Sequence, residues 1–176
     1  MTGKLPDVSA SGPLQSDEYY MRLAMEQAHQ AELAGEVPVG AVIVDPGGEV
    51  IACGQNMVLR SHDPSAHAEV VAMRRAGSRL SNYRLPGLTL YVTLEPCTMC
   101  LGALFHARIA RLVYGAADPK TGACGGRLDL TGHGLINFHC TVQGGVMAAE
   151  CGQMLTEFFR RKRLSAKAMK DKQIEI

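Results

Sequence analysis

The sequence contains no tryptophan, few aromatic residues and no long apolar run. Aromatic residues make up only 5% of the 176 residues, and there are nine methionines, so we expect an aliphatic interior rich in methionine. No segment approaches the roughly 18 consecutive apolar residues that a membrane-spanning helix needs. The first 16 residues also lack the apolar core of a signal peptide. These absences argue against membrane insertion and export, so we expect a cytoplasmic protein.

Length and composition are typical of one globular domain. A chain of 176 residues falls within the roughly 100–200 residues of a typical domain. Its 47% hydrophobic and 20% charged residues are sufficient for a packed core. We predict a flexible tail at residues 1–16, a globular domain at 17–165 and a basic tail at 166–176, without internal repeats.

Positive charge is concentrated at the C-terminal end. The net charge is only +1, which alone indicates nothing about nucleic acid. From Cys151 onward the sequence contains seven Lys or Arg residues and three Asp or Glu residues, so this end carries +4 and the first 150 residues carry −3. We predict an RNA-docking helix in which Phe158 lies beside four cations: Arg160, Arg161, Lys162 and Arg163. The alternative is a solvated helix end, where cations suit the negative end of the dipole.

Six cysteines are present in a chain without an export signal, so we expect them to be reduced. A metal or catalytic role is then favoured over a disulfide framework. We interpret four of the cysteines as small buried hydrophobic residues: Cys53, Cys124, Cys140 and Cys151.

Helical and strand-like patterns alternate along the chain. Ser16 is a candidate cap for a first helix that ends near Gly35, and Ser65 is a candidate cap for a second helix. The second helix covers 66–79, a third begins at Glu95-Pro96, and a final helix covers 146–164. Predicted strands are 39–45, 50–56, 88–94, 109–115 and 138–142. This alternation predicts a layered α/β domain with a largely single sheet.

Two short motifs combine into a candidate metal centre: His67-Ala68-Glu69 and Pro96-Cys97-Thr98-Met99-Cys100. A single CxxC pair is equally compatible with metal binding, redox chemistry or no function. Both motifs, however, start predicted helices after an extended segment, so the two helix N-termini can converge at one sheet edge. One His and two thiolates would supply three zinc ligands and leave a fourth position for water, as in catalytic sites.

A carboxylate accompanies these ligands. Two thiolates neutralise much of the zinc charge, so a water at the site benefits from a nearby base, and Glu69 is suitably placed to provide it. Positions two apart on a regular helix do not share a face. His67 and Glu69 can therefore act together only if the first turn directs both towards the same site.

Taken together, the motifs resemble those of the zinc-dependent nucleobase deaminases of the cytidine/deoxycytidylate deaminase superfamily, whose signature is H-x-E followed by P-C-x-x-C. Within them, the sequence is most similar to the bacterial tRNA-specific adenosine deaminases, from about Tyr19 to Arg163. The matching segments are 36–41 (EVPVGA), 62–69 (HDPSAHAE), 82–85 (NYRL), 93–100 (TLEPCTMC), 118–122 (DPKTG) and 158–160 (FFR).

The resemblance implies a three-layer α/β/α fold of the cytidine-deaminase type, with a central mixed sheet of about five strands flanked by helices. It implies one Zn²⁺ per chain, a homodimer, and deamination of the wobble adenosine in a tRNA anticodon stem-loop. Carried over by position, the zinc ligands are His67, Cys97 and Cys100, and Glu69 is the catalytic acid and base. Carried over in the same way, the substrate contacts are Asn56, Ala68 and Asp118.

Three alternatives remain. A free-base deaminase acting on guanine or cytosine would not need the basic C-terminal helix. A non-catalytic, zinc-bearing partner subunit would be expected to lack Glu69, and a redox protein leaves His67-Ala68-Glu69 unexplained. The chain differs from the usual family pattern at Cys53, Gln55 and Cys124, none of which is a proposed ligand.

Overall fold

The computed structural model describes residues 15–132 and 140–174, with side chains described up to residue 169. The described helices are α1 (Asp17–Leu33), α2 (Val58–Ser61), α3 (Ala68–Leu80), α4 (Thr98–Ala107) and α5 (Ala148–Ile174). The described strands are β1 (Gly40–Val44), β2 (Val50–Gln55), β3 (Thr89–Leu94), β4 (Arg111–Ala116) and β5 (Thr141–Gln143). Most of the predicted N-terminal tail, the start of the predicted strand at 138–142 and the last two residues lie outside the described residues.

The five strands form one mixed sheet in the order β2-β1-β3-β4-β5. Strand β1 is antiparallel to both β2 and β3, whereas β3, β4 and β5 run parallel to one another. Strand β1 is buried along its whole length. Ala41 and Ile43 join one core cluster together with residues of α3 and α4, whereas Val42 and Val44 join a second cluster with residues of α1. Since alternate residues of a strand point to opposite faces, helices cover both faces of the sheet, and the predicted three-layer α/β architecture is confirmed.

Close contact between helix α3 and strand β2 depends on a glycine. A Cβ atom at Gly54 would overlap the backbone of Ala68 and Ala72, both on α3. Glycine therefore lets the helix backbone lie directly on the strand. This packing fixes the N-terminus of α3 at one edge of the sheet. In the described part of the chain, no helix is apolar over a length sufficient to span a membrane.

Several predicted helix boundaries require correction. Helix α3 begins at Ala68 with His67 as its N-cap, so Ser65 does not cap it. The Ser65 hydroxyl instead donates to Asp63 Oδ1 at 2.6 Å. Helix α4 begins at Thr98, and Pro96 precedes the helix rather than lying in its first turn.

Two further features of the helices differ from the prediction. The short helix α2 was not predicted at all. Helix α5 extends to Ile174, ten residues beyond the predicted end, so residues 166–174 of the predicted tail continue the helix. No glycine or proline interrupts residues 153–174, which explains why the helix continues.

Candidate zinc centre and adjoining cavity

Three side chains from two helix N-termini form a compact cluster of metal-binding atoms: His67, Cys97 and Cys100. The Cys97 and Cys100 sulfurs lie 3.7 Å apart, and His67 Nδ1 lies 3.7 Å from the first and 3.4 Å from the second. Tetrahedral zinc with usual bond lengths separates two sulfurs by about 3.8 Å and a sulfur from a nitrogen by about 3.6 Å. The three side chains therefore fit a zinc ion.

Local backbone structure explains how these residues meet. His67 is the N-cap of α3 and Cys97 the N-cap of α4, and both have extended backbone angles. N-cap positions usually carry Ser, Thr, Asp or Asn, whose side chains bond the first helical N–H groups. Neither His67 nor Cys97 makes such a bond. Their side chains are thus available for a metal at the expense of the helix cap.

Glu69 lies in the first turn of α3 and is only 4% exposed. Because His67 precedes the helix in an extended conformation, the regular helical spacing that would separate the two side chains does not apply. The Glu69 carboxyl group forms a hydrogen bond with the Cys100 thiol, and the charge of His67 stabilises the ionised form of Glu69. Burial raises the pKa of Glu69, and the backbone N–H and His67 oppose that shift only in part. A buried carboxyl group beside the ligands is thus suited to exchanging protons.

The two thiols have opposite tendencies. The hydrogen bond from Cys100, assisted by His67, lowers the pKa of Cys97 to about 4 in spite of burial. The same hydrogen bond together with burial raises the pKa of Cys100. The bond with Cys97 raises the pKa of His67. Because a metal needs both thiolates and a neutral imidazole, its binding at this cluster is coupled to proton release.

A cavity of about 510 Å³ opens above the cluster and is lined by His67, Glu69 and Cys97. Its walls include three elements that are distant in sequence: the α2 region, the segment that follows β4, and α5. Of the predicted substrate contacts, Asn56, Asp118 and Phe158 line this cavity, whereas Ala68, Arg160 and Arg161 do not.

The predicted contacts Asn56 and Ala68 bond to each other. Asn56 Oδ1 accepts the Ala68 backbone N–H at 3.0 Å. The amide oxygen of Asn56 is therefore occupied, and its N–H₂ group is what it can offer to a ligand. Ala68 is fully buried, and its N–H is satisfied within the protein.

Asp118 forms a turn as well as part of the cavity wall. Its Oδ1 accepts the backbone N–H of Lys120 at 2.8 Å, and its Oδ2 accepts the Thr121 hydroxyl at 2.6 Å. Thr121 also lines the cavity. The carboxylate of Asp118 thus fixes the local backbone of the wall to which it belongs.

Helix α5 brings an aromatic and a cationic side chain to the cavity. Phe158 is 6% exposed, and Lys162 Nζ lies 5.5 Å from the centre of its ring. Both residues, together with Phe159, line the cavity. Arg161 instead forms an ion pair with Glu32 on α1. Arg161 therefore helps to hold α5 against α1.

Two buried carboxylates, Glu36 and Glu95, were not predicted as functional residues from the sequence. Glu36, 2% exposed, accepts the backbone N–H groups of Leu59 at 3.2 Å and of Arg60 at 2.8 Å, which holds α2 beside the cavity. Glu95, also 2% exposed, binds the backbone after β4. Both residues lie in apolar surroundings next to a proline segment. An acidic residue is rarely buried without partners, and this context is the signal that could have identified them.

The remaining four cysteines have free thiols that pack against the core, and the predicted burial is complete for Cys151 alone. Cys151 is buried, and Cys53, Cys124 and Cys140 are half-buried. Burial raises the pKa of Cys124 to about 12 and that of Cys151 to about 11, so neither thiol is activated.

Comparison with known proteins places the chain among zinc-binding deaminases. Residues 14–116 match the cytidine and deoxycytidylate deaminase zinc-binding region. The chain is 49% identical over 154 residues to the tRNA-specific adenosine deaminase of Haemophilus influenzae, an alignment that covers 88% of this chain and 89% of the relative.

Solved structures of deaminases are also similar to this chain. One from a study of A-to-I editing by tRNA:A34 deaminases at the wobble position has a TM-score of 0.74 and 42% identity, covering 78% of this chain and 99% of the other. The guanine deaminase of Bacillus subtilis has a TM-score of 0.56 and 44% identity, covering 58% of this chain and 66% of the other.

Proposed function

The chain belongs to the cytidine and deoxycytidylate deaminase zinc-binding family, and we propose that it hydrolyses adenosine to inosine at the wobble position of a tRNA anticodon, with one Zn²⁺ per chain. The observation that carries this proposal is the set of three ligand atoms beside the buried carboxyl group of Glu69, at the base of a cavity large enough for a nucleobase. The 49% identity to a tRNA-specific adenosine deaminase along most of both chains supports the substrate class.

In this reaction His67, Cys97 and Cys100 hold the metal. When bound, zinc lowers the pKa of a water molecule and thereby supplies the nucleophile for hydrolysis. Glu69 accepts a proton as that nucleophile attacks, delivers it to the ring nitrogen, and later assists the departure of ammonia. Its burial supports this role, because a raised pKa makes the carboxyl group easier to protonate, so that it can accept a proton and later return it.

Recognition of the base involves Asn56 and the cavity walls. Because the Asn56 oxygen is bonded to Ala68, its N–H₂ group is oriented as a donor for an acceptor atom of the purine. The Ala68 backbone, which does not line the cavity, contributes by holding the Asn56 side chain in this orientation. A base that is stacked in a helix cannot enter such a cavity, so the substrate adenine is flipped out of a single-stranded loop.

Binding of the RNA involves the outer part of the cavity. Asp118 and Thr121 face the target nucleotide from one side, and Phe158 and Lys162 face it from the other. Arg160 is exposed on α5 and contacts phosphate groups, whereas Arg161 contributes less because Glu32 already neutralises it.

The assembly and location of the protein are further parts of the proposal. A globular domain at 17–165 acts as a homodimer, with exposed apolar residues such as Tyr83 and Met99 available for an interface. The protein works in the cytoplasm, where its six free thiols remain reduced. Light scattering of the purified protein would test the dimer.

The substrate is tested by incubating the zinc-loaded protein with an anticodon stem-loop that contains a wobble adenosine. Nucleoside analysis should find inosine at that position, and no change in a matched stem-loop with adenosine only at another loop position. Free guanine and free cytosine should remain intact. Deamination of either free base without deamination of the stem-loop would instead make the protein a free-base deaminase.

A further inference from the structure

Glu95 is a buried carboxylate at the end of β3, two residues before the ligand Cys97. Its Oε1 accepts the backbone N–H groups of Cys124 and Gly126, both at 2.8 Å. Its Oε2 accepts the backbone N–H of Asp118 at 2.9 Å. One carboxylate thus receives three backbone N–H donors, and all three come from the segment that follows β4.

This segment, residues 117–126, is packed tightly around the carboxylate. A Cβ atom at Gly122 or Gly126 would overlap both the Glu95 side chain and the carbonyl oxygen of Asp118. Charge-assisted hydrogen bonds are about twice as strong as neutral ones. Glu95 is therefore the principal side-chain anchor of this segment among the residues that the structure describes.

The same segment borders both the metal cluster and the cavity. The Ala123 N–H donates to the Pro96 carbonyl oxygen at 2.9 Å, and Gly122 pairs with Cys97 in an isolated β-bridge. At its other end, Asp118 and Thr121 line the cavity. A displacement of the Asp118 end would thus move one cavity wall, while the contacts at Gly122 and Ala123 remain beside the ligand.

We propose that Glu95 is a positioning residue, which holds Asp118 and Thr121 in place against the substrate nucleotide. It does not touch the substrate's reacting atoms but acts through the backbone of Asp118. This inference rests on the proposed function, because it assigns the 117–126 segment to substrate binding.

Glu95→Gln separates the two ends of the segment. The amide oxygen can still accept the Cys124 and Gly126 N–H groups, but the amide nitrogen is then placed against the Asp118 N–H. Two donors cannot bond, so the substitution releases Asp118 while the other two bonds are kept. Glu49→Gln is a matched control, since Glu49 is an exposed carboxylate whose ion pair with Arg79 lies away from the cavity.

The first test follows backbone hydrogen exchange by mass spectrometry and does not depend on activity. In Glu95→Gln, exchange should be faster in peptides that contain Asp118 and unchanged in the β1–β2 hairpin, and the variant should retain one zinc per chain. In Glu49→Gln, exchange in the 117–126 segment should be that of the wild type. Unchanged exchange at Asp118 in Glu95→Gln would overturn the proposal even if the protein edits RNA as proposed.

The second test is a double-mutant cycle with Asp118→Ala, measured on the stem-loop. Each single substitution should raise KM about tenfold with kcat within about threefold of wild type. The KM of the double variant should be no higher than that of the more impaired single variant, because both substitutions act through one contact. Multiplied losses, or a fall in kcat with KM unchanged, would contradict a positioning role.

If Glu95→Gln does not fold, Glu95→Asp, which keeps the charge but withdraws it by one methylene, replaces it in both tests. A wild type that fails to edit the stem-loop would refute the proposed function, and hydrogen exchange would then still decide whether Glu95 anchors Asp118.

Discussion

The floor and the rim of the cavity are held in place by different kinds of contact. The floor consists of His67, Glu69 and Cys97, which line the cavity, together with the buried ligand Cys100 beside them. All four lie within or next to the first turns of α3 and α4. Those helices pack on the buried sheet, so the backbone itself fixes the floor. The rim consists of Asp118, Thr121, Phe158, Phe159 and Lys162, which come from an irregular segment and from a terminal helix.

Contacts that hold the α5 side of the rim are more exposed than the three hydrogen bonds by which buried Glu95 holds the Asp118 side. Phe159 is 44% exposed, and the cationic end of α5, a helix that packs on the sheet through Cys151, is linked to α1 by the surface ion pair between Arg161 and Glu32. Surface ion pairs contribute little to stability, at most about 1 kcal/mol. The floor and the Asp118 side of the rim can therefore remain rigid during the reaction, while the α5 side of the rim adjusts to an RNA.

The largest effect is expected from a change in the floor. Cys97→Ser removes one of the three ligand atoms, so the purified variant should contain much less than one equivalent of zinc and have no detectable activity. Elemental analysis and inosine formation would measure both. Cys53→Ser is the matched control, because Cys53 is half-buried away from the cavity and should keep both zinc and activity. A fully active, metal-free Cys97→Ser protein would remove the basis for the distinction between floor and rim.

A smaller effect is expected from a change in the exposed cations of α5 that lie next to the rim in sequence. Replacing Arg160 and Arg163 by Ala removes two exposed charges, and each lost phosphate contact should flatten the dependence of log affinity on log salt by about 0.7. The slope for stem-loop binding should thus change by about 1.4, with zinc content and kcat unaffected.

Arg161→Ala sharpens that comparison. Because Glu32 already neutralises this guanidinium, the single substitution should change the slope by less than Arg160→Ala does. Equal effects would mean that the ion pair opens when RNA binds. An unchanged slope in the double variant would place the RNA surface elsewhere, for example around Arg84 and Lys120.

The smallest effect is expected at the opposite end of the parallel strands, where Arg111 begins β4. Arg111 Nη2 lies 2.7 Å from Asp17 Oδ2, and this bond holds the pKa of Asp17 below its usual range. A lowered pKa stabilises the folded state above the unfolded value of about 3.9, and that contribution is lost as the pH falls through the folded pKa. Asp17→Asn should therefore lower the free energy of unfolding by about 1 kcal/mol at pH 7, and by less near pH 3.

Chemical denaturation at the two pH values would measure this change. Activity at pH 7 should stay that of the wild type, because the pair is remote from floor and rim. A difference between the two proteins that grows as the pH falls would contradict the assigned pKa shift.

The difference between local motifs and long-range contacts explains how much of the site could be predicted from the sequence. His67, Glu69, Cys97 and Cys100 belong to two short motifs, and the start of a helix is itself a local property of the sequence. The pairing of Arg161 with Glu32 joins residues that are 129 positions apart. Likewise, the bonds of Glu95 to Asp118 and Cys124 depend on how the chain returns after β4. Such contacts follow from tertiary packing and leave only a general signal, a charged residue in apolar surroundings.

The layered α/β domain with a largely single sheet was predictable for a related reason, since hydrophobic periodicity reports the burial of each element, whereas the mixed sheet of about five strands was implied by the family resemblance. The exact helix starts were not predictable. Ser65 is a good capping residue, but its hydroxyl is engaged by Asp63, and His67 occupies the cap position instead. Capping preference was overridden where the chain places a metal ligand.

The most direct test of the account compares zinc content and single-turnover rate in Glu69→Gln. This variant keeps the shape of the side chain and removes its acid and base. We predict one equivalent of zinc, stem-loop affinity close to that of the wild type, and a rate of deamination lower by at least the roughly 10²–10⁴-fold that such catalysis contributes. Loss of zinc, or a rate near that of the wild type, would contradict the assignment of Glu69 as the group that moves protons at the floor of the cavity.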